Sequence, residues 1–269
     1  MREAAPRRIA LFSDVHGNSD ALDAVLDDIQ SHRLTEVYCL GDLVGYGPDP
    51  AGVISRIREA GIPAIKGNYD EGIGEARGDC GCYYATEQAK IDGAASYAFT
   101  DAVLGEEDRG WLAALPSEIR FDEAGAHVLL VHGSPRKINE YLLLDRQDRQ
   151  LANLAEQAEA DVVCVGHVHV FYHRSMTAES GRRVHYVSSG SVGKPKDGDW
   201  RAGWVELIFG SEEDIRRFAP EDGSAAPVGR ADAWLGTVVH RIEYDVESVA
   251  ADMRDAGLPE TLVKALRSG

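Results

Sequence analysis

The feature that most limits what this chain can become is an alternation near its start. Two short apolar runs, "RIALF" (8–12) and "EVYCL" (36–40), each break off at Ser-Asp or Gly-Asp. Between them, residues 18–31 place Leu22, Val25, Leu26 and Ile29 on one helical face, with Asn18 or Ser19 as cap. Residues 50–60 read as a second helix, and "IPAIKGN" (62–68) as a third strand. Strand, helix, strand, helix, strand implies a largely parallel sheet with helices on its faces. Ligands of such sheets gather at the carboxyl ends of the strands.

The rest of the chain continues in kind, then changes texture. Residues 71–85 are Gly-rich and predict a loop; 86–104 and 106–114 predict helices. Strands are expected at 118–122 and 127–133, a helix at 146–158 and a strand at 160–167. Segments 170–176, 182–190 and 201–210 read as successive antiparallel strands, turning at Glu179–Gly181 and around Lys196–Asp199. Residues 219–231 predict an exposed loop, 236–244 a last strand, and 246–256 and 258–267 short helices. With no repeat and no composition break, residues 1–269 read as a single domain whose last part, about 232–269, is a strand–helix appendage.

The expected strand ends are unusual in what they carry. The first supplies Asp14, His16 and Asn18; the second, Asp42; the third, Asn68; the later two, His132, His167 and His169. Gly17, Gly41, Gly67, Gly133 and Gly166 stand beside them, where backbone must turn closely. In an extended chain His167 and His169, two apart, would face the same side. Carboxylate and imidazole together suit divalent manganese, iron, zinc, cobalt or nickel, and one bridging carboxylate can hold two ions about 3.5–4 Å apart. His32, His127, His173, His185 and His240 fall outside the pattern and are expected to be structural; His32 suits a helix C-terminus.

Charge narrows the partners. With 45 acidic and 28 basic residues the formal charge is −17, and no Lys/Arg stripe offers phosphates a track, so no long nucleic acid is expected. A phosphate ligand would need a local cation, which a bound metal supplies. No run approaches the ~20 apolar residues of a membrane span, and Ile9–Phe12 is too short for a signal-peptide core, so a cytoplasmic protein without a membrane partner is expected. Cys39 and Cys164 read as small core residues. Cys80 and Cys82, in "DCGCYY", read as a structural loop pair, since a disulfide between such near neighbours would be strained. "GSVGK" lacks the first glycine of a phosphate-binding loop at the needed spacing.

Asp14-x-His16, Gly41-Asp42, Gly67-Asn68, His132-Gly133 and Gly166-His167-x-His169 resemble the five motifs of the calcineurin-like metallophosphoesterases, in the family's order. The strands beyond resemble small bacterial and archaeal phosphodiesterase-type members. The resemblance implies an α/β fold of two stacked mixed sheets flanked by helices, a four-layer sandwich. It implies two divalent transition-metal ions, manganese or iron foremost. Asp14, His16, Asp42 and His169 would hold one, and Asp42, Asn68, His132 and His167 the other. It further implies hydrolysis of a small phosphorylated substrate by a metal-bridging hydroxide. Dinucleoside polyphosphate hydrolysis, protein phosphatase activity and a non-catalytic metal-bound scaffold are the alternatives.

The resemblance departs at Tyr69. Many members carry histidine after Gly-Asn, backed by the next acid, whereas this chain reads "GNYD". A phenol with a pKa near ~10 is a poorer acid for a leaving alkoxide than an imidazolium. Asp42, Asn68, Tyr69 and Asp70 are nonetheless the candidate catalytic residues. Asn18, Asn68, Arg136 and Arg201 are candidate substrate contacts, Asn18 equally a helix cap. Lys137, Lys194 and Lys196 are further basic residues near the motifs. Tyr83 and Tyr84 are expected to pack within the loop.

Overall fold

A computed structural model describes residues 5–219, 223–229 and 232–269. The first part runs β1 (Arg7–Phe12), α1 (Ser19–Ser31), β2 (Val37–Cys39), α2 (Pro50–Ala60), α3 (Asn68–Gly74), α4 (Glu87–Val103) and α5 (Glu106–Ala114). The middle runs β3 (Glu118–Glu123), β4 (Ala126–Val131), α6 (Asp148–Gln157), β5 (Val162–Val165), β6 (Phe171–Thr177) and β7 (Arg183–Ser189). The last part runs β8 (Ala202–Gly210), α7 (Glu212–Phe218), β9 (Ser224–Pro227), β10 (Trp234–Ile242), α8 (Val246–Asp255) and α9 (Glu260–Leu266).

The strands form two five-stranded mixed sheets, ordered β2-β1-β8-β10-β9 and β3-β4-β5-β7-β6. In β1, Ile9 and Leu11 face inward and meet Val128 and Leu130 of β4, Cys164 of β5 and Val205 and Leu207 of β8 in the core between the sheets. The alternate residues Ala10 and Phe12 face outward and pack with Leu22, Val25 and Ile29 of α1 and Val53, Ile54 and Ile57 of α2. The other sheet's outer face is covered by Leu151, Leu154 and Ala155 of α6. Burying each such large side chain contributes roughly 1.5–3 kcal/mol, so both faces of both sheets are anchored. This is the four-layer arrangement that the family resemblance implies.

Four expectations need correction. Residues 62–67 do not form a full strand; they touch β2 through one bridge, Cys39 to Ala64, before Lys66 N–H turns to the Pro116 carbonyl. The loop expected over 71–85 begins inside α3, which Asp70 holds closed by accepting the Gly67 N–H at 2.8 Å. β8 does not follow β7 in one meander: it crosses to the other sheet and inserts between β1 and β10. The parallel pairing of β7 with β5 already occupies the edge that a meander would need. The expected loop at 219–231 lies partly outside the described residues, and within it β9 pairs with β10. No helix among the described residues is long and apolar enough to cross a membrane. Cys39 and Cys164 are buried and free, whereas Cys80 and Cys82 are joined by a disulfide across Gly81, whose left-handed backbone (φ 62°) folds the two together.

Candidate metal centre

The carboxyl ends of β1, β2, β4 and β5 meet at one edge, and there Asp14, His16, Asp42, Asn68, His132, His167 and His169 are all buried. Asp14 (φ 54°), His16 (50°), Asp42 (55°), His167 (67°) and His169 (61°) are all left-handed. For residues with a Cβ that conformation costs on the order of 1–3 kcal/mol each and persists only where the surroundings enforce it. It also overturns the strand-parity argument for His167 and His169. β5 ends at Val165, and the two histidines stand on a tight turn beyond it. Their rings diverge: His167 lies against His132 (ring centroids 5.1 Å apart) and His169 against His16 (4.9 Å).

Each element fixes its ligand through backbone. Gly67 cannot carry a side chain, because a Cβ there would sit 2.1 Å from Asp42 Oδ1. Asp42 Oδ1 accepts the Tyr69 N–H at 2.8 Å. Asp14 Oδ2 accepts the His167 N–H at 3.0 Å and the Ser13 hydroxyl. His16 Nδ1 donates to the Val44 carbonyl (3.0 Å), His132 Nδ1 to the Leu40 carbonyl (2.7 Å) and His169 Nδ1 to the Lys194 carbonyl (2.5 Å). A proton held on Nδ1 leaves Nε2 as a lone pair, the form in which imidazole binds metal.

Two groups of acceptors result. In the first, Asp14 Oδ1 lies 3.1 Å from His169 Nε2 and 3.7 Å from His16 Nε2, and the two Nε2 atoms are 3.2 Å apart. In the second, His132 Nε2 lies 3.3 Å from Asp42 Oδ2 and 3.2 Å from Asn68 Oδ1. Asn68 Nδ2 donates to the Cys80 carbonyl (3.1 Å), so its oxygen is the atom facing His132. His167 Nε2 and Asp14 Oδ1 are buried with no hydrogen-bond partner among the described residues. The groupings Asp14–His16–His169 and Asp42–His132–His167 each bring their ligand atoms within 4.8 Å of one another. Buried lone pairs facing lone pairs repel unless a cation sits among them, so these residues fit divalent metal. Asp42 Oδ2 is also 3.8 Å from His16 Nε2 and so borders both groups.

Electrostatics agree. Burial pushes His16 and His167 down to about 3 and His169 well below its ordinary value, which keeps them neutral. Burial disfavours charge on His132 as well, but Asp42 outweighs it and lifts His132 to about 10. His132 in turn holds Asp42 below the usual carboxylate range despite its burial. Without a cation, a proton shared by His132 and Asp42 is the substitute.

The other candidates divide. Asp70 is fully buried and accepts backbone N–H groups from Gly67, Leu43 and Val44. Burial, aided by the Asp42 charge, pushes its pKa up to about 7. Tyr69 is 1% exposed and packs edge-on to His16. Its hydroxyl, near those of Tyr46 and Tyr84 but outside bonding geometry, has no partner among the described residues, and burial raises its pKa well above 10. Asn18 acts as the cap: Oδ1 accepts the Ala21 N–H (3.1 Å) and Nδ2 donates to the Tyr244 hydroxyl (3.3 Å). Arg136 is held by Glu140 and Arg201 by Asp199, so the arginines expected to take phosphate are already paired with carboxylates. Lys137 borders a cleft of about 270 Å³ beside Asn68. Lys194 and Lys196 have no carboxylate partner among the described residues. The Lys194 ammonium lies 4.4 Å from the Tyr46 ring centroid, and Lys196 feels the charges of Asp14 and Asp42. Tyr83 is 76% exposed, so it does not pack within the loop as expected, whereas Tyr84 is half-buried. Sequence reasoning missed Tyr141, whose ring lies 4.0 Å from that of His167, and the carbonyls that orient the histidines. An aromatic in a polar loop and backbone acceptors leave no sequence signal.

Comparison with known proteins accords with this geometry. Residues 8–206 match the Calcineurin-like phosphoesterase superfamily domain. The chain is 29% identical over 274 aligned residues to an uncharacterized protein of Methanocaldococcus jannaschii, covering 97% of this chain and 98% of that one. The crystal structure of a metallophosphoesterase from Sphaerobacter thermophilus is 28% identical, with a TM-score of 0.68 over 98% of this chain and 99% of the other. A hypothetical protein from Pyrococcus horikoshii, 22% identical, shares the fold with a TM-score of 0.73 over 97% of this chain and 98% of that one. This chain belongs to the calcineurin-like phosphoesterase superfamily.

Proposed function

We propose that this protein hydrolyses phosphate esters of small molecules with two divalent ions at the strand ends. Asp14, His16, Asp42 and His169 would hold one, and Asp42, Asn68, His132 and His167 the other, with manganese or iron foremost. The observation that carries the reading is the pair of buried ligand groups, Asp14–His16–His169 and Asp42–His132–His167, bordered by the one carboxylate of Asp42. The ions, when bound, would supply hydroxide near neutral pH and offset charge developing on the phosphoryl oxygens.

The chain's own residues do the rest. Asp42 joins the two ligand sets and Asp14 anchors the turn that carries His167. Lys194 and Lys196 are the cations available for non-reacting phosphoryl oxygens. Position 69 offers no imidazole to protonate a leaving alkoxide, and the Tyr69 phenol is buried and held neutral. Esters with good leaving groups therefore suit this site better than alkyl esters. A non-catalytic scaffold would not need two complete groups of metal-ligating side chains buried at one edge.

The test is a rate ratio with Mn²⁺ restored: hydrolysis of bis-nitrophenyl phosphate against the corresponding monoester. A ratio well above one assigns a phosphodiesterase, and well below one a phosphomonoesterase. No turnover of either, or full activity in Asp42→Asn, would overturn the reading.

A further inference from the structure

A second cluster of metal-ligating side chains lies where α1 ends against β10. Asp28 and His32, four residues apart, share one side of the end of α1. His240 reaches them from β10, on the strand register that pairs it with Trp204 of β8. One carboxylate oxygen of Asp28 and one ring nitrogen each of His32 and His240 lie within 4.8 Å of one another. Asp28 Oδ2 and His32 Nδ1 are 3.6 Å apart. Ligands around a tetrahedral ion bound at about 2.0–2.1 Å are about 3.3 Å apart, so a turn of the His32 ring that brings Nε2 toward Asp28 and His240 closes the set.

What surrounds the three side chains orients them. The Trp204 indole N–H donates to Asp28 Oδ2 at 2.9 Å. The His240 ring stacks on Trp204 at 3.9 Å with 6° between the planes, and Trp204 is itself fully buried. His240 Nε2 donates to Glu206 Oε2 at 3.3 Å, and Glu206 is held by Arg8. His32 Nδ1 donates to the Asp28 carbonyl at 2.9 Å, which fixes its tautomer and leaves Nε2 without a partner among the described residues. Outer partners of this kind, a carboxylate or carbonyl on the second ring nitrogen and a donor on the ligating carboxylate, distinguish a built metal site from a chance grouping. The three side chains keep 28%, 34% and 16% exposure, so an ion can enter from solvent.

We infer that Asp28, His32 and His240 form a further cation site, separate from the strand-end centre, selective for Zn²⁺ or a similar borderline ion. Two imidazoles and one carboxylate with an open fourth position suit zinc, and no thiolate or oxygen cage is present to favour softer or harder ions. The ion would tie the end of α1 to β10. The start of α1 is already tied to the segment after β10, through Asn18 and Tyr244, so the ion would clamp the helix at both ends to one stretch of chain.

The experiment is a zinc count on the full chain. Wild type, His32→Ala and His240→Gln are stripped with chelator, reloaded with excess Zn²⁺, passed through gel filtration and assayed for retained metal. Wild type is expected to keep about one more Zn²⁺ per chain than either variant, since each variant leaves only two protein ligands. In an Asp42→Asn, His169→Ala background, which takes a ligand from each strand-end group, a zinc-dependent rise in Tm should persist and should vanish on adding His32→Ala. Mn²⁺-dependent ester hydrolysis should be unchanged in His32→Ala, so failure of the phosphoesterase reading shows separately. Metal-free melts show that each variant is folded. Equal zinc retention in wild type and His32→Ala, or no zinc-dependent rise in Tm in the Asp42→Asn, His169→Ala background, would overturn the site.

Discussion

Asp42 and Asp70 hold each other's loops: Asp42 Oδ1 accepts the N–H of Tyr69 at 2.8 Å, and Asp70 Oδ1 accepts the N–H of Leu43 at 2.9 Å. Each carboxylate thus bonds the residue next to the other. The loop after β2 and the start of α3 close as one unit, which places Asp42 and Asn68 on the same side of His132. Asp70 also accepts the Gly67 and Val44 N–H groups. These bonds position the two loops.

Removing this clasp should loosen the metal ligands without touching them. Asp70→Asn keeps the size but turns an N–H₂ donor toward backbone donors, and outer-shell losses of this kind cost about 10–100-fold in metal affinity. Chelator competition with Mn²⁺ or Zn²⁺ should show that weakening while a metal-free melt still shows a folded protein. Wild-type affinity in Asp70→Asn would mean that the clasp does not position the site.

Tyr69→Phe should be harmless to stability and nearly so to rate. The hydroxyl is buried without a partner, a state that costs about 1–3 kcal/mol, so its removal should leave Tm equal or higher. With no leaving-group role for the phenol, kcat should stay within about threefold, well short of the 10²–10⁴ typical of a general acid. A fall of about 100-fold for poor leaving groups but not for nitrophenolate would instead give the hydroxyl the acid role.

Much of this was legible in the residues. The alternation of Ile9 and Leu11 with Ala10 and Phe12 marks a strand buried on both faces, and α2 and α5 fall at the residues expected of them, 50–60 and 106–114. Asp14, His16, Asp42, Asn68, His132, His167 and His169 stand out because carboxylate, amide and imidazole recur where apolar runs stop. What the sequence hides is long-range. Nothing local in "RAGWVELIFG" says that β8 pairs with β1 rather than β7, because strand choice is decided by which edge is free. Nothing in "GHVH" announces two left-handed histidines, because that conformation is held by hydrogen bonds that the His167 N–H and His169 Nδ1 donate to Asp14 and the Lys194 carbonyl, which distant elements supply. Asp28, His32 and His240 were unremarkable for the same reason: two are near in sequence, but the third arrives with β10.

Acid should destabilise the protein in part through His185. Its Nδ1 faces His173 Nε2 at 3.0 Å and its Nε2 donates to the Pro227 carbonyl at 2.9 Å. His173 in turn bonds Thr237 and the Ser224 carbonyl across the sheets. Burial first, then His173 and Arg183, lowers His185 to about 4, against the hydrogen bond to the Pro227 carbonyl and the weaker pull of Asp161. A lowered histidine pKa means that the unfolded chain binds the proton more readily, so stability is fully present above the unfolded value near 6.5 and falls as pH drops toward 4. For this one group the loss between about pH 7 and pH 5 is on the order of 2 kcal/mol. Urea midpoints at the two pH values should show a smaller acid loss in His185→Gln than in wild type. An identical loss would place the acid sensitivity elsewhere.

Lys196 should set affinity for charge rather than the rate of bond breaking. It follows β7 on the segment that carries the Lys194 carbonyl to His169, and its own N–H bonds the His169 carbonyl at 3.1 Å, so its position is tied to that of a ligand. The residue is exposed, but the site excludes water around its ammonium and lowers its pKa against the pull of the Asp14 and Asp42 carboxylates. With Arg136 and Arg201 paired to Glu140 and Asp199, it has little competition for a phosphoryl oxygen. A charge-assisted contact contributes about 1.5–3 kcal/mol, so Lys196→Met should raise KM for a dianionic monoester about tenfold or more. Its effect on a monoanionic diester should be smaller, because one negative charge is missing from the group it would hold. Steady-state kinetics on both esters separate the outcomes. Parallel losses in kcat for the two would mean that Lys196 supports His169 instead of binding substrate, and unchanged KM for both would move the phosphate contact to Lys194 or Lys137.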